Sequence, residues 1–201
     1  MAERVLNLAV LISGSGSNLQ ALIDACARDN FPARIQVVIS NNPDVYGLER
    51  ARLAGIDAHV VDHKKFDGRE GFENALGVVL AGYDIDLICL AGFMRILTPD
   101  FTESWAGKMI NVHPSLLPRH GGEGMYGMHV HRAVIANGES ESGVSVHHVI
   151  AKCDAGDVIV QRRVSVDAGE TAESLAEKVL REEHIAYPQA VERLAKERLN
   201  L

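Results

Sequence analysis

Aromatic residues make up only 5% of this 201-residue sequence, and there are three cysteines. Sparse aromatics leave little surface on which bases could stack. A net charge of −7 removes the broad cationic field that a phosphate backbone requires, so nucleic acid is a poor partner. Cys26, Cys89 and Cys153 are odd in number and widely scattered, with no C-x-x-C pair. That excludes a disulfide framework and fits a reducing cytoplasm. No apolar run is long enough to span a membrane, and the opening MAERVLNLAVLISGSGSN turns polar too soon for a signal peptide. Two loops of known chemistry are missing as well. There is no Walker Gly-Lys-Ser/Thr and no G-x-S-x-G serine elbow.

What is present is a globular chain. Hydrophobic residues reach 47% and charged residues 23%, enough for a sizeable core. The length fits one domain over 1–201, with no repeat, linker or low-complexity tract. Short apolar runs at Leu8–Ile12, Ile35–Ser40, Ala58–Val61, Asp86–Ala91 and Lys108–Val112 alternate with helical patterns. The order βαβαβαβαβ predicts an α/β fold: a Rossmann-like, open, twisted, mainly parallel sheet with helices on both faces. Gly143–Ile150 and Val158–Val166 predict an antiparallel C-terminal strand pair. Ala172–Leu199 reads as a long charged helix broken near Pro188.

Parallel sheets bind ligands beyond the carboxyl ends of their strands, and three polar segments fall there. In the first, Ser13–Leu19 (SGSGSNL), glycines let the backbone approach an anion at a helix N-terminus. A phosphate on Gly16, Ser17 and Asn18 is expected, with Ser17 and Asn18 adding donors or capping the helix. The loop is a poor dinucleotide fingerprint, because Leu19 stands at the third glycine position and Ser40-Asn41-Asn42 offers no acid for a ribose. The second segment is Gly92–Leu97 (GFMRIL). The third is Asn111-Val112-His113, where strand alternation puts the amide and the imidazole on one side. Such a pair suits a carbonyl oxygen that becomes a tetrahedral oxyanion. A protonated ring does this best, and in the turn between the late strands Asp154 is the best-placed acid to hold the charge on His113, with Asp157 a weaker choice. Nine histidines include His129-x-His131 and His147-His148. On a helix the first pair diverges, and no acid or thiol stands at ligand spacing, so no metal site is expected.

With these residues in view, the sequence resembles the glycinamide ribonucleotide formyltransferase family along essentially its whole length. The resemblance is carried by ISGSGSNLQALID, SNNPDVYGLERARLAGI, LAGFMRILTPDF, KMINVHPSLLP, GVSVHHV and EEHIAYP. NVHPSLLP is shared with a wider formyl-folate superfamily; the other segments narrow it. The resemblance implies a reaction in which the formyl group of 10-formyltetrahydrofolate passes to the amine of glycinamide ribonucleotide, with no metal required. It implies an N-terminal half, about 1–100, that holds the phosphate on Gly16, Ser17 and Asn18, while Glu183 holds the ribose. The C-terminal half, about 101–201, carries the chemistry and much of the folate site. Asn111, His113 and Asp154 match the catalytic trio. Arg69, Met94, Arg95, Ile96 and Leu97 match folate-contacting positions, with Asn111 counted there too and the loop Ile150–Asp154 facing the pteridine. Partners are small molecules, not nucleic acid or membrane, and the chain acts as a monomer or homodimer. Two departures stand out. The family turn Asp-Gly-Gly-Pro is here Asp154-Ala155-Gly156-Asp157, and Arg119–His131 is longer than in many members. A formyl-folate hydrolase, a tRNA formyltransferase and a non-catalytic phospho-ligand module are the rival readings.

Overall fold

The computed structural model describes residues 4–201; the first three residues of the segment weighed as a signal peptide lie outside it. The element order is β1 (Leu6–Ile12), α1 (Ser17–Cys26), β2 (Ala33–Ser40), α2 (Tyr46–Leu53), β3 (Asp57–Val60), α3 (Arg69–Leu80), β4 (Leu87–Leu90), α4 (Pro99–Ser104), β5 (Met109–His113), α5 (Met128–Ala136), β6 (Glu141–His148), β7 (Val158–Ser165) and α6 (Ala172–Leu199). The strands form one sheet in the order β3-β2-β1-β4-β5-β6-β7. The first five pair in parallel, and β6 runs antiparallel to both β5 and β7. This is the Rossmann-like sheet expected, with one addition: the β5–β6 pairing has no signature in the sequence.

Strand β1 shows why the sheet is covered twice. Its residues LNLAVLI are all buried, as a parallel strand buried on both faces requires. Leu6, Leu8, Val10 and Ile12 pack on one side with Leu19 and Leu22 of α1 and with Val179, Tyr187 and Val191 of α6. Ala9 and Leu11 pack on the other with Phe72, Leu76 and Leu80 of α3. The two-residue period of the strand thus sorts one run into two cores.

Helix α6 is continuous through Pro188, contrary to the break expected there. Proline removes one helical hydrogen bond, which favours a kink. Here Ala186, Tyr187, Ala190 and Val191, on either side of it, are fully buried against the sheet. Their burial outweighs the loss of one bond.

The chain leaves β1 toward β2 on one side, and β4 returns to pair with β1 on the other. The carboxyl ends of β1 and β4 therefore flank a topological switch point, where ligands of open α/β sheets bind.

Candidate active site

A cleft of about 220 Å³ opens at that switch point, lined by residues 13–18 and by Ala91, Gly92 and Met94. Gly16 is the N-cap of α1 with φ 71, and neither a side-chain cap nor a first-turn acid is present. The expected capping by Ser17 or Asn18 does not occur, since Ser17 is already helical. The first N–H groups of α1 are thus left for an external anion. The loop is held from behind by main chain. A Cβ on Gly16 would stand 2.8 Å from Gly47 Cα, and Gly47 N donates to Gly14 O at 3.1 Å. Arg50 Nε donates to Ser15 O at 2.8 Å. Ser13 Oγ donates to Asn41 Oδ1 at 2.5 Å and accepts from Met94 N at 2.7 Å, tying the ends of β1 and β2 to the segment after β4.

Asn18 turns away from its helix. Its Nδ2 donates to Glu183 Oε2 at 2.6 Å, and its Oδ1 is buried without a partner. Glu183 is 9% exposed, and burial raises its carboxyl above the usual range, with the Asn18 bond opposing. The N-terminal loop and the late EEHIAYP segment are thereby one site, 165 positions apart.

The segment Gly92–Leu97 divides by exposure. Leu97 is buried in the core beneath α3, whereas Met94 and Ile96 are each 53% exposed. Arg95 keeps a buried Nε without a partner. Arg69 begins α3, exposed, one turn before Glu73, and Glu73 accepts from the backbone N–H of Thr98 at 2.7 Å and from its hydroxyl. Phe72 stacks on Phe93 with centroids 6.3 Å apart. The N-terminal turn of α3 thus borders the GFMRIL segment.

At the end of β5 the structure brings Asn111, His113 and Asp154 together. Asn111 pairs across the ladder with His147, and His113 with Ser145. His113 is 4% exposed; its Nδ1 lies 3.5 Å from Asp154 Oδ2, and its Nε2 lies 2.8 Å from the carbonyl of His120. Both ring nitrogens face oxygen, so a cationic ring would satisfy both. Burial acts against this and is the larger effect. It pulls His113 below the ordinary histidine value, while Asp154 and the His120 carbonyl pull it back up. Asp154 acts in the direction expected, toward the charged ring, and the desolvation of His113 is the larger effect.

Asp154 sits at φ 51, in the left-handed region, and accepts from Gly122 N at 2.9 Å. Burial raises its carboxyl, but its contact with the His147 ring, the charge of His113 and the bond from Gly122 N together hold it below the usual range. The strained φ belongs to residue 154, not 155, so alanine in place of the family glycine is accommodated. The glycine the turn needs is Gly156, where a Cβ would stand 1.9 Å from His148 O.

Three participants escaped the sequence reading. His147, 2% exposed, lies between Asn111 Nδ2 (3.2 Å) and Asp154 Oδ1 (3.5 Å). The other two are main-chain groups, His120 O and Gly122 N. Alternation within GVSVHH puts Ser145 and His147 on one side of β6, but only the pairing of β6 with β5 shows that this side faces Asn111. Among the described residues, no group of three His, Cys, Asp or Glu side chains is arranged to hold a metal. No helix among them is long and apolar enough to cross a membrane.

The formyl transferase family model matches residues 6–191. The chain belongs to the formyl transferase family. It is 43% identical over 196 residues to phosphoribosylglycinamide formyltransferase of Escherichia coli K12, covering 98% of this chain and 90% of that protein. It is 44% identical over 193 residues to the human trifunctional purine biosynthetic protein adenosine-3, covering 96% of this chain and 19% of that longer protein. The crystal structure of glycinamide ribonucleotide transformylase 1 from Symbiobacterium toebii superposes with a TM-score of 0.90 at 41% identity, covering 96% of this chain and 89% of that one.

Proposed function

We propose that this formyl transferase is a single-domain cytoplasmic enzyme that transfers the formyl group of 10-formyltetrahydrofolate to the primary amine of glycinamide ribonucleotide. The products are formylglycinamide ribonucleotide and tetrahydrofolate, and its partners are small molecules. The observation that carries the reading is the convergence of Asn111, His113 and Asp154 at the same strand-end edge of the sheet as an uncapped helix N-terminus. One substrate needs an anion cradle, and the other needs a place where carbonyl oxygen gains charge.

The ribonucleotide phosphate rests on the N–H groups of Gly16, Ser17 and Asn18, and Glu183 accepts from the ribose. The folate lies against Met94–Leu97, with Arg69 toward its carboxylates. Holding both makes the attack effectively intramolecular. The amine attacks the formyl carbon, giving an ammonium and an oxyanion. Asn111 N–H and the His113 ring receive the negative charge. That charge, with Asp154, favours the proton on His113 that burial disfavours. The ammonium proton moves to the folate nitrogen through His113 or a water, and the C–N bond to folate breaks. No metal and no covalent enzyme intermediate takes part.

The test is a spectroscopic assay with purified protein. An absorbance change from deformylated folate that requires both formyl-folate and glycinamide ribonucleotide is expected. Formate release without ribonucleotide would replace this reading with a hydrolase, and absence of folate binding by calorimetry would leave a phospho-ligand module.

A further inference from the structure

We infer that His147 is a positioning residue that fixes the amide of Asn111 with its nitrogen end held and one N–H free for the formyl oxygen. The inference rests on the formyl-transfer reading, and it comes from a closed set of donor and acceptor constraints.

His147 Nδ1 lies 2.9 Å from the carbonyl oxygen of His148. A carbonyl only accepts, so Nδ1 carries a hydrogen. In a neutral imidazole the other nitrogen then holds a lone pair. That nitrogen, Nε2, lies 3.2 Å from Asn111 Nδ2, which only donates. The two contacts agree on one arrangement: proton on Nδ1, lone pair on Nε2, and the Asn111 amide with its NH₂ end against the ring. One of the two amide hydrogens is then engaged by His147, and the second remains a donor.

Turning the amide over would set its oxygen against the Nε2 lone pair, acceptor against acceptor. Relief would require a second proton on the ring. Asp154 Oδ1, 3.5 Å from Nε2, competes with Asn111 for the same nitrogen. The amide contact is the shorter. His147 cannot swing away from it, because the ring is 2% exposed and anchored through the backbone of its own strand. An unanchored amide would populate both orientations, and in one of them a carbonyl oxygen would replace the donor engaged with His147. This explains why a buried imidazole occupies the ladder position opposite Asn111, where packing alone would be met by an apolar residue.

Two measurements test the inference. Long-range ¹H–¹⁵N NMR of the full chain without substrates reads the ring directly; Nδ1 protonated and Nε2 unprotonated is expected. A neutral ring with its proton on Nε2, or a doubly protonated ring at neutral pH, overturns the inference. Kinetics supplies the second. His147→Leu should lower kcat by about ten- to a hundredfold, less than loss of a whole oxyanion donor, with both KM values little changed. His147→Gln, which restores an acceptor, should recover part of the loss. In an Asn111→Ala background, His147→Leu should cost nothing further, because the group it orients is gone. Equal further loss in that background would mean that His147 merely packs, and would overturn the inference, as would wild-type kcat in His147→Leu. If His147→Leu fails to fold, His147→Gln and the NMR experiment still decide. An inactive wild-type enzyme would instead sink the formyl-transfer reading, and the NMR result would stand apart from it.

Discussion

The two halves of the polar edge at the carboxyl ends of the strands are built from different materials. On the β1 side the cradle is main chain: helix N–H groups left open by an uncapped Gly16, with Gly47 pressed against the loop. On the β5 side the site is side chain: an amide, two imidazoles and a carboxylate meeting across two strands and a turn. An anion that keeps its charge throughout is met adequately by fixed dipoles. An oxygen that gains charge only during reaction needs groups whose protonation and orientation can be tuned. The two halves should therefore fail differently. The first should fail through backbone geometry and binding, the second through chemistry.

The sharpest contrast comes from His113→Ala. It removes the ring proposed to act on the reacting atoms, so kcat should fall by about 10²- to 10⁴-fold with modest change in either KM. Steady-state kinetics with both substrates checks this; retained turnover would take His113 out of the reaction. The counterpart on the other side is Gly16→Ala. The added Cβ would stand 2.8 Å from Gly47 Cα, at a φ of 71 that disfavours alanine. The loop must shift, and the ribonucleotide KM should rise by about tenfold or more while the folate KM stays near wild type. Equal damage to both KM values would show that the cradle serves the whole cleft rather than the phosphate.

The same contrast explains what the sequence disclosed. Local patterns fix strands and helices, so LAVLI, IQVVIS and the SGSGSN loop could be placed from residues alone. Asn111 and His113 are two apart on one strand, and alternation puts them together. Asp154 was reached through the turn between two strands and through the family resemblance. His147 was not, because its role depends on β6 lying antiparallel to β5, a long-range pairing with no local signal. Nor was the bond between Asn18 and Glu183, which only the folding of α6 across the sheet creates. Pro188 misled for the reverse reason: a local rule pointed to a break, and tertiary packing overrode it.

The two sides also differ in how they titrate. Burial raises Glu183, so the fold favours its protonated form. Its contribution to stability is full below the ordinary value of 4.5 and is lost as pH rises through the raised value. Glu183→Gln keeps an acceptor for Asn18 and removes the buried charge. The variant should melt a few degrees above wild type at pH 8, with the gap closing toward pH 4.5, while its ribonucleotide KM worsens. The sign reverses for His113, His131 and His148, which burial pulls below 6.5. Their contribution is full above 6.5 and is lost as pH falls through the lowered values. Thermal melts of both proteins from pH 4.5 to 8 separate the effects, because the histidines act equally in each. A gap that does not change with pH would mean that Glu183 is not the group responsible.

The smallest effect is expected at the seam between the halves. Tyr187 is fully buried, and its hydroxyl donates to Leu90 O at 2.9 Å, with Ile110 O at 3.4 Å. Leu90 ends β4, which lies between β1 and β5, and Ile110 lies in β5, so one hydroxyl joins the strand that carries the trio to the strand next to the cradle. Tyr187→Phe keeps the ring and removes the bond, at a cost of about 1 kcal/mol, or about 2–4 °C in Tm for a chain of this size. If each half is rigid on its own account, kcat and both KM values should stay within about twofold of wild type, since ΔΔG of 1 kcal/mol spread over the fold leaves local geometry intact. A fall in kcat well beyond that, with Tm barely moved, would show that the cradle and the trio are held in register by this one hydroxyl.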